Sequence, residues 1–162
     1  MARTGESTVE KALGWFLVVL MGVSVVNVLW QVFTRFALAR PSSYTEELAR
    51  YLLIWIGLVG AGYASAKRLH LAIDLLPRRV SGGRWGRTLA VIIELCVITF
   101  AGVVLVGGGL GLVRITLSLG QTSAALGIPM GWVYSALPVS GALIVWFSSL
   151  RVRDLLRRTE GR

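Results

Sequence analysis

The sequence is poor in charge: 15% of its 162 residues are Asp, Glu, Lys or Arg, against 55% that are hydrophobic. That balance excludes a soluble globular domain, which needs far more charge on its surface. There is one cysteine, Cys96, so an intrachain disulfide is excluded. There is one histidine, His70, which excludes a bis-histidine haem and leaves too few ligands for a metal centre built with Asp74. The aspartates are not clustered, which argues against a lipid-headgroup transferase and, more broadly, against a membrane enzyme. Acids number 8 against 17 basic residues.

What the sequence has instead is long uncharged runs. Ala12 to Thr34 is 23 residues, Tyr51 to Ala66 is 16, Leu95 to Val113 is 19 and Ile115 to Leu150 is 36. A bilayer span needs about 20 residues of helix, because hydrocarbon offers no partner for a free backbone N–H or C=O. The chain is therefore expected to be an all-α integral membrane protein, a single domain over 1–162. Four spans are expected, near 12–34, 44–66, 88–113 and 129–150. The first apolar run is longer than a signal-peptide core and is expected to remain as a span.

The formal charge of +9 is unevenly placed. Segments on one side of the four spans carry 13 Lys and Arg, and those on the other carry 4. The positive-inside rule then places both termini in the cytoplasm. The basic charge is a topology signal, with phospholipid contact as a second role, rather than a nucleic-acid surface.

In the first span, Asn27 and Gln31 share one helix face, which points to a contact between helices, the alternative being a polar pathway. The stretch "SSYTEELARYLLIWIG" then sets acids against an apolar run. Ser43 to Glu46 fits a capping box, and Glu46 to Arg50 is an i,i+4 pair, so the second helix is expected to begin in the headgroup layer. Glu47, about 100° round the helix from Glu46, is free to face a second protein or a loop. Gly57, Ala61 and Ser65 form a small-residue ridge, with Gly60 and Ala64 beside it, suited to close packing of another helix.

"SAKRLHLAIDLLPRR" carries an apolar stripe between basic ends and is expected to form an amphipathic arm helix near 67–79 on the cytoplasmic surface. Lys67, Arg68, Arg78 and Arg79 of the arm, and Trp85 in the glycine-rich turn that follows it, are lipid-contact candidates, and His70 with Asp74 is expected to be a structural pair. Glu94 lies inside the third span. It reads either as a proton or cation site or as a structural group reaching a basic loop residue. Gly107 and Gly111 form a GxxxG element. In the last run, "ITLSLGQTSAALGI" suits an outer surface segment, Pro129 suits a helix start, Trp132 and Tyr134 suit the outer interface, and Pro138 is expected to kink the fourth span.

Taken in order, "EELARYLLIWIGLVGAGYASAKRLHLAIDLLP" and "LGIPMGWVYSALPVSG" resemble the small membrane subunit of tripartite ATP-independent periplasmic (TRAP) transporters. The matching positions are Glu46, Glu47, Arg50, Trp55, Gly60, Ala61, His70, Asp74, Pro129, Trp132, Tyr134 and Pro138. Ala72 departs from the pattern, which commonly has a basic residue there. The resemblance implies a scaffold subunit in a bacterial or archaeal cytoplasmic membrane, paired with a large elevator-type permease subunit that uses a sodium gradient. It also implies a periplasmic substrate-binding protein that delivers an organic acid. No cofactor is expected in this chain, sodium being expected in the large subunit. The alternative reading is a self-sufficient small proton-coupled exporter that uses Glu94.

Overall fold

The computed structural model describes residues 8–37, 42–67 and 84–160. The arm expected near 67–79, with His70, Asp74, Arg68, Arg78 and Arg79, lies outside the described residues apart from Lys67. The described chain is helical, with one isolated antiparallel bridge between Thr122 and Pro129. Helix α1 covers Thr8–Ala37 and α2 covers Ser43–Ala66. The third span begins as α3, Arg84–Phe100, widens into a π-helical segment at Ala101–Gly108, and ends as α4, Gly109–Ser118. The fourth comprises a short α5, Met130–Tyr134, and the long α6, Ala136–Glu160.

Among the described residues four helical stretches are long and apolar enough to cross a membrane: Thr8–Ala37, Ser43–Ala66, Thr88–Ser118 and Met130–Arg157. Each expected span is present, and three of the four outlast their uncharged runs. The third passes through Arg114 to Ser118, because a charge near a helix end does not interrupt backbone hydrogen bonding when its side chain can extend to water. The residues expected as an outer surface segment are thereby divided. Positions 115–118 complete α4, and those that follow make a tight loop closed by the Thr122–Pro129 bridge.

That loop turns on two glycines in the left-handed region, Gly120 at φ 60° and Gly127 at φ 65°. A side chain at either position would be strained, so the loop needs glycine there. Pro129 caps α5, and Pro138 stands in the first turn of α6, where its missing N–H is least costly. The kink expected from Pro138 is an interruption at Ser135, one turn before the ring.

The helices stand in a row and do not close into a bundle. Among the described elements α1 packs on α2 alone, α2 packs on α1 and the fourth span, and the fourth span packs on the third. The fourth is thus the centre, and α2 and α3 do not touch. Small residues permit its close approach: Gly141 lies against Leu105, Val106 and the Ala101 carbonyl, and Gly109 lies against Pro138. The expected GxxxG pair is displaced accordingly. Gly109 makes the contact, whereas Gly111 faces open space.

Few side chains are buried, and many of those are polar: Asn27, Thr34, Thr45, Ser65, Glu94, Thr116, Ser123, Ser140 and Ser148. A helix row in lipid gains little from hiding leucine, since the tails are equally apolar. Hydrogen bonds and close packing carry the association. Ser140 donates to the Leu58 carbonyl at mid-row, and Asn27 Nδ2 donates to the Thr45 carbonyl at 2.8 Å between α1 and α2. The contact expected for Asn27 is therefore present.

Candidate functional site

The ionisable residues gather at the two ends of the row. At the outer end, α2 starts at Ser43 with Ser42 in the N-cap position and no side-chain cap bond. The Ser43–Glu46 capping box is not formed. Instead Thr45 Oγ1 donates to the Ser42 carbonyl at 2.8 Å, and Glu46 turns along the helix to Arg50 at 3.6 Å. Both side chains of that pair are about two-thirds exposed (67% and 66%), so it contributes little to stability.

Glu47 faces the other way, into its own chain. One carboxylate oxygen accepts the Ala124 N–H at 3.1 Å and the Tyr51 hydroxyl at 2.7 Å. The other accepts the N–H groups of Ala125 at 2.9 Å and Leu126 at 3.0 Å. Three consecutive amides of one turn converge on a single acid, an arrangement in which backbone dipoles form an anion-binding nest. Ser123 Oγ also accepts from the Leu126 N–H, at 3.1 Å. Tyr51, buried beneath, lies 3.4 Å from Met130 Sδ and so ties α2 to the start of the fourth span. Of the two partners open to Glu47, a second protein or a loop, the structure supplies the loop.

At the inner end, Glu94 is buried, and its Oε1 lies 3.0 Å from Arg151 Nε. The contact is an ion pair without hydrogen-bond alignment, and Glu94 Oε2 has no hydrogen-bond partner among the described residues. The guanidinium directs its other nitrogens elsewhere. Nη1 donates to the Ser65 carbonyl at 2.7 Å, and Nη2 donates to Ser65 Oγ at 2.9 Å and Ser148 Oγ at 2.8 Å. Among the described residues the basic partner of Glu94 is thus Arg151 of the fourth span. Arg151 is missed when the sequence is read locally, because it stands at the end of a long uncharged run and looks like the start of a basic tail.

The remaining candidates are dispersed. Trp55 meets Phe16 edge-on at 6.4 Å between α1 and α2. Gly57 and Gly60 face open space and Ala61 is exposed, while Gly62, next along, packs on Leu143, and Ser65 at the end of the ridge serves Arg151. Trp132 is exposed at the outer end. Lys67, a lipid-contact candidate, lies 4.0 Å from Glu10 and over the Tyr63 ring. Trp85 falls in α3, its side chain outside the described residues. Among the described residues no three His, Cys, Asp or Glu side chains come together as metal ligands would.

A row of membrane helices in which Glu47, Glu94 and Arg151 are spent on internal ties is the framework of a multi-pass subunit. Residues 24–158 match the family described as "Tripartite ATP-independent periplasmic transporters, DctQ component". The chain belongs to that family: it is a small permease component of a transporter, and not an enzyme. It is 29% identical over 142 residues to the sialic acid TRAP transporter small permease protein SiaQ of Vibrio cholerae, covering 85% of this chain and 78% of that one. It is 24% identical over 144 residues to a putative TRAP transporter small permease protein of Haemophilus influenzae, covering 89% and 87%. It is 34% identical over 110 residues to the isethionate TRAP transporter permease protein DctMQ of Oleidesulfovibrio alaskensis, covering 65% of this chain but only 16% of that longer protein.

Proposed function

We propose that this chain is the stationary scaffold of a sodium-driven, binding-protein-dependent transporter for organic acids. It stands beside a large elevator-type permease subunit that carries the substrate and the sodium. The observation that carries the reading is the row itself. The second, third and fourth spans are tied at the outer end by Glu47, at mid-row by Ser140 and at the inner end by Arg151, and Asn27 holds α1 to α2, yet α1 touches only α2 and the third span only the fourth. Such a row has two broad open faces to lay against a neighbour. Pairing with a large subunit is supported by the relative named DctMQ, whose permease protein is much longer than this chain.

Both termini are placed in the cytoplasm on the charge asymmetry, with the Glu47-held loop on the periplasmic side, where a substrate-binding protein arrives. Organic acids are the proposed cargo, in keeping with the isethionate and sialic acid named for two relatives. The exporter reading loses its site, because Glu94 is sealed against a guanidinium in a helix row. Co-expression with the large subunit and a periplasmic binding protein tests the proposal. Sodium-dependent uptake of an organic acid should require all three, and uptake that persists without this chain would contradict it.

A further inference from the structure

Arg114 is an ionisable residue of the third span that neither the fold nor the proposed scaffold role uses. It lies in α4, inside the third span, and its side chain is exposed among the exposed apolar residues Leu110, Ile115 and Leu117. The other described arginines of that end of the row are engaged, Arg50 with Glu46 and Arg35 over the Phe36 ring at 6.0 Å. Arg114 has no acid, ring or carbonyl partner among the described residues. An unpaired guanidinium on an apolar helix face must extend to the membrane boundary, where water or an anion meets it.

Its depth identifies the anion. Arg114 stands at most about 30 Å along the helix axis from Glu94 at 1.5 Å per residue, the wider π-helical turns between them rising less, which is still close to the thickness of the hydrocarbon core. With the Glu94–Arg151 pair at one boundary, Arg114 lies at the other. A second marker agrees: Gly131 packs on Leu117, so exposed Trp132, suited to the interface, sits one turn beyond Arg114. At this level a bilayer presents lipid phosphates, which a guanidinium engages through two parallel N–H bonds. Beside Arg114, one turn deeper, Gly111 has nothing within 4 Å of the position its Cβ would take. An acyl chain can lie there against bare backbone while its phosphate meets the arginine.

We propose that Arg114, with the open surface at Gly111, is a phospholipid site that takes the phosphate diester of one lipid at the outer end of the third span. The purified full chain, without its partner subunit, is titrated with dioleoyl phosphatidylglycerol and with dioleoylglycerol, which has the same tails and no phosphate. Bound lipid is counted by native mass spectrometry, so the outcome does not depend on the scaffold reading. The phosphatidylglycerol should bind more tightly, and Arg114→Gln should weaken it about fivefold, the effect of one basic residue at an anionic headgroup. Gly111→Leu, which enters open space and leaves the fold intact, should also weaken it, and Arg153→Gln at the far end should not. Equal binding by wild type and Arg114→Gln, equal binding of the two lipids, or an equal loss in Arg153→Gln would each overturn the site. If Arg114→Gln kept its lipid but no longer co-purified with the large subunit, the anion would be a carboxylate of that subunit and the lipid assignment would be wrong.

Discussion

Arg151 and Ser65 join two helices at the inner end of the row, with Nη1 2.7 Å from the Ser65 carbonyl and Nη2 2.9 Å from its hydroxyl, while the same guanidinium holds Glu94 of α3 at 3.0 Å. Since α2 and α3 do not pack on each other, this one side chain links the second span to the third through the fourth.

Removing it should therefore cost more than a surface ion pair would. Arg151→Ala leaves Glu94 buried without its cation and Ser65 without its donors, and breaking a buried pair from one side costs ~3–5 kcal/mol. A large fall in thermal stability of the detergent-solubilised chain is expected. Replacing both partners, Glu94→Leu with Arg151→Met, should recover part of the loss, because no lone charge remains. A double variant as unstable as Arg151→Ala would show that the guanidinium acts through Ser65 and Ser148 alone.

Glu47→Ala should act locally. The Ala124, Ala125 and Leu126 amides lose their acceptor while both positive-φ glycines and the Thr122–Pro129 bridge remain, so the loop should loosen without unfolding the helices. Hydrogen exchange at those three amides is the measurement, with faster exchange there and unchanged protection along α2 as the expected pattern. Glu47→Gln, which keeps one carbonyl acceptor, should fall between wild type and Glu47→Ala.

The small-residue ridge of α2 divides into two kinds of position. Gly62 would bring a Cβ to 3.1 Å from Leu143 Cβ, whereas Gly57 faces nothing within 4 Å. Gly62→Leu should destabilise the isolated chain by ~1–3 kcal/mol through overpacking. Gly57→Leu should leave its melting temperature unchanged and reduce the large subunit recovered with it. Full recovery with Gly57→Leu would place the partner on another face.

The spans were legible because each depends on a run of residues that must all be apolar, and such runs survive any local uncertainty. Pro129 at a helix start and Asn27 between helices were also readable, each resting on one residue's backbone or hydrogen-bonding need. The long-range partners were not. Glu47 meets amides almost eighty positions away, and backbone donors leave no trace in side-chain identity. Arg151 hid as the start of a tail, although a buried acid at Glu94 required a cation somewhere near the inner boundary. The capping box at Ser43 is not formed because the N-cap position falls on Ser42, which puts Thr45 rather than Glu46 three residues on, and Thr45 bonds the Ser42 carbonyl. The π-helical widening at Ala101–Gly108 follows no apolar period, and it faces Gly141 of the fourth span, a contact that a local reading of the run does not show.

Reconstitution of the purified chain into vesicles, with and without its large subunit, tests whether this chain stands still while another subunit moves the solute. With a sodium gradient, a loaded binding protein and both subunits, the vesicles should accumulate the organic acid, and with this chain alone they should accumulate none. Solute accumulation by the chain alone, abolished by Glu94→Gln, would contradict the account.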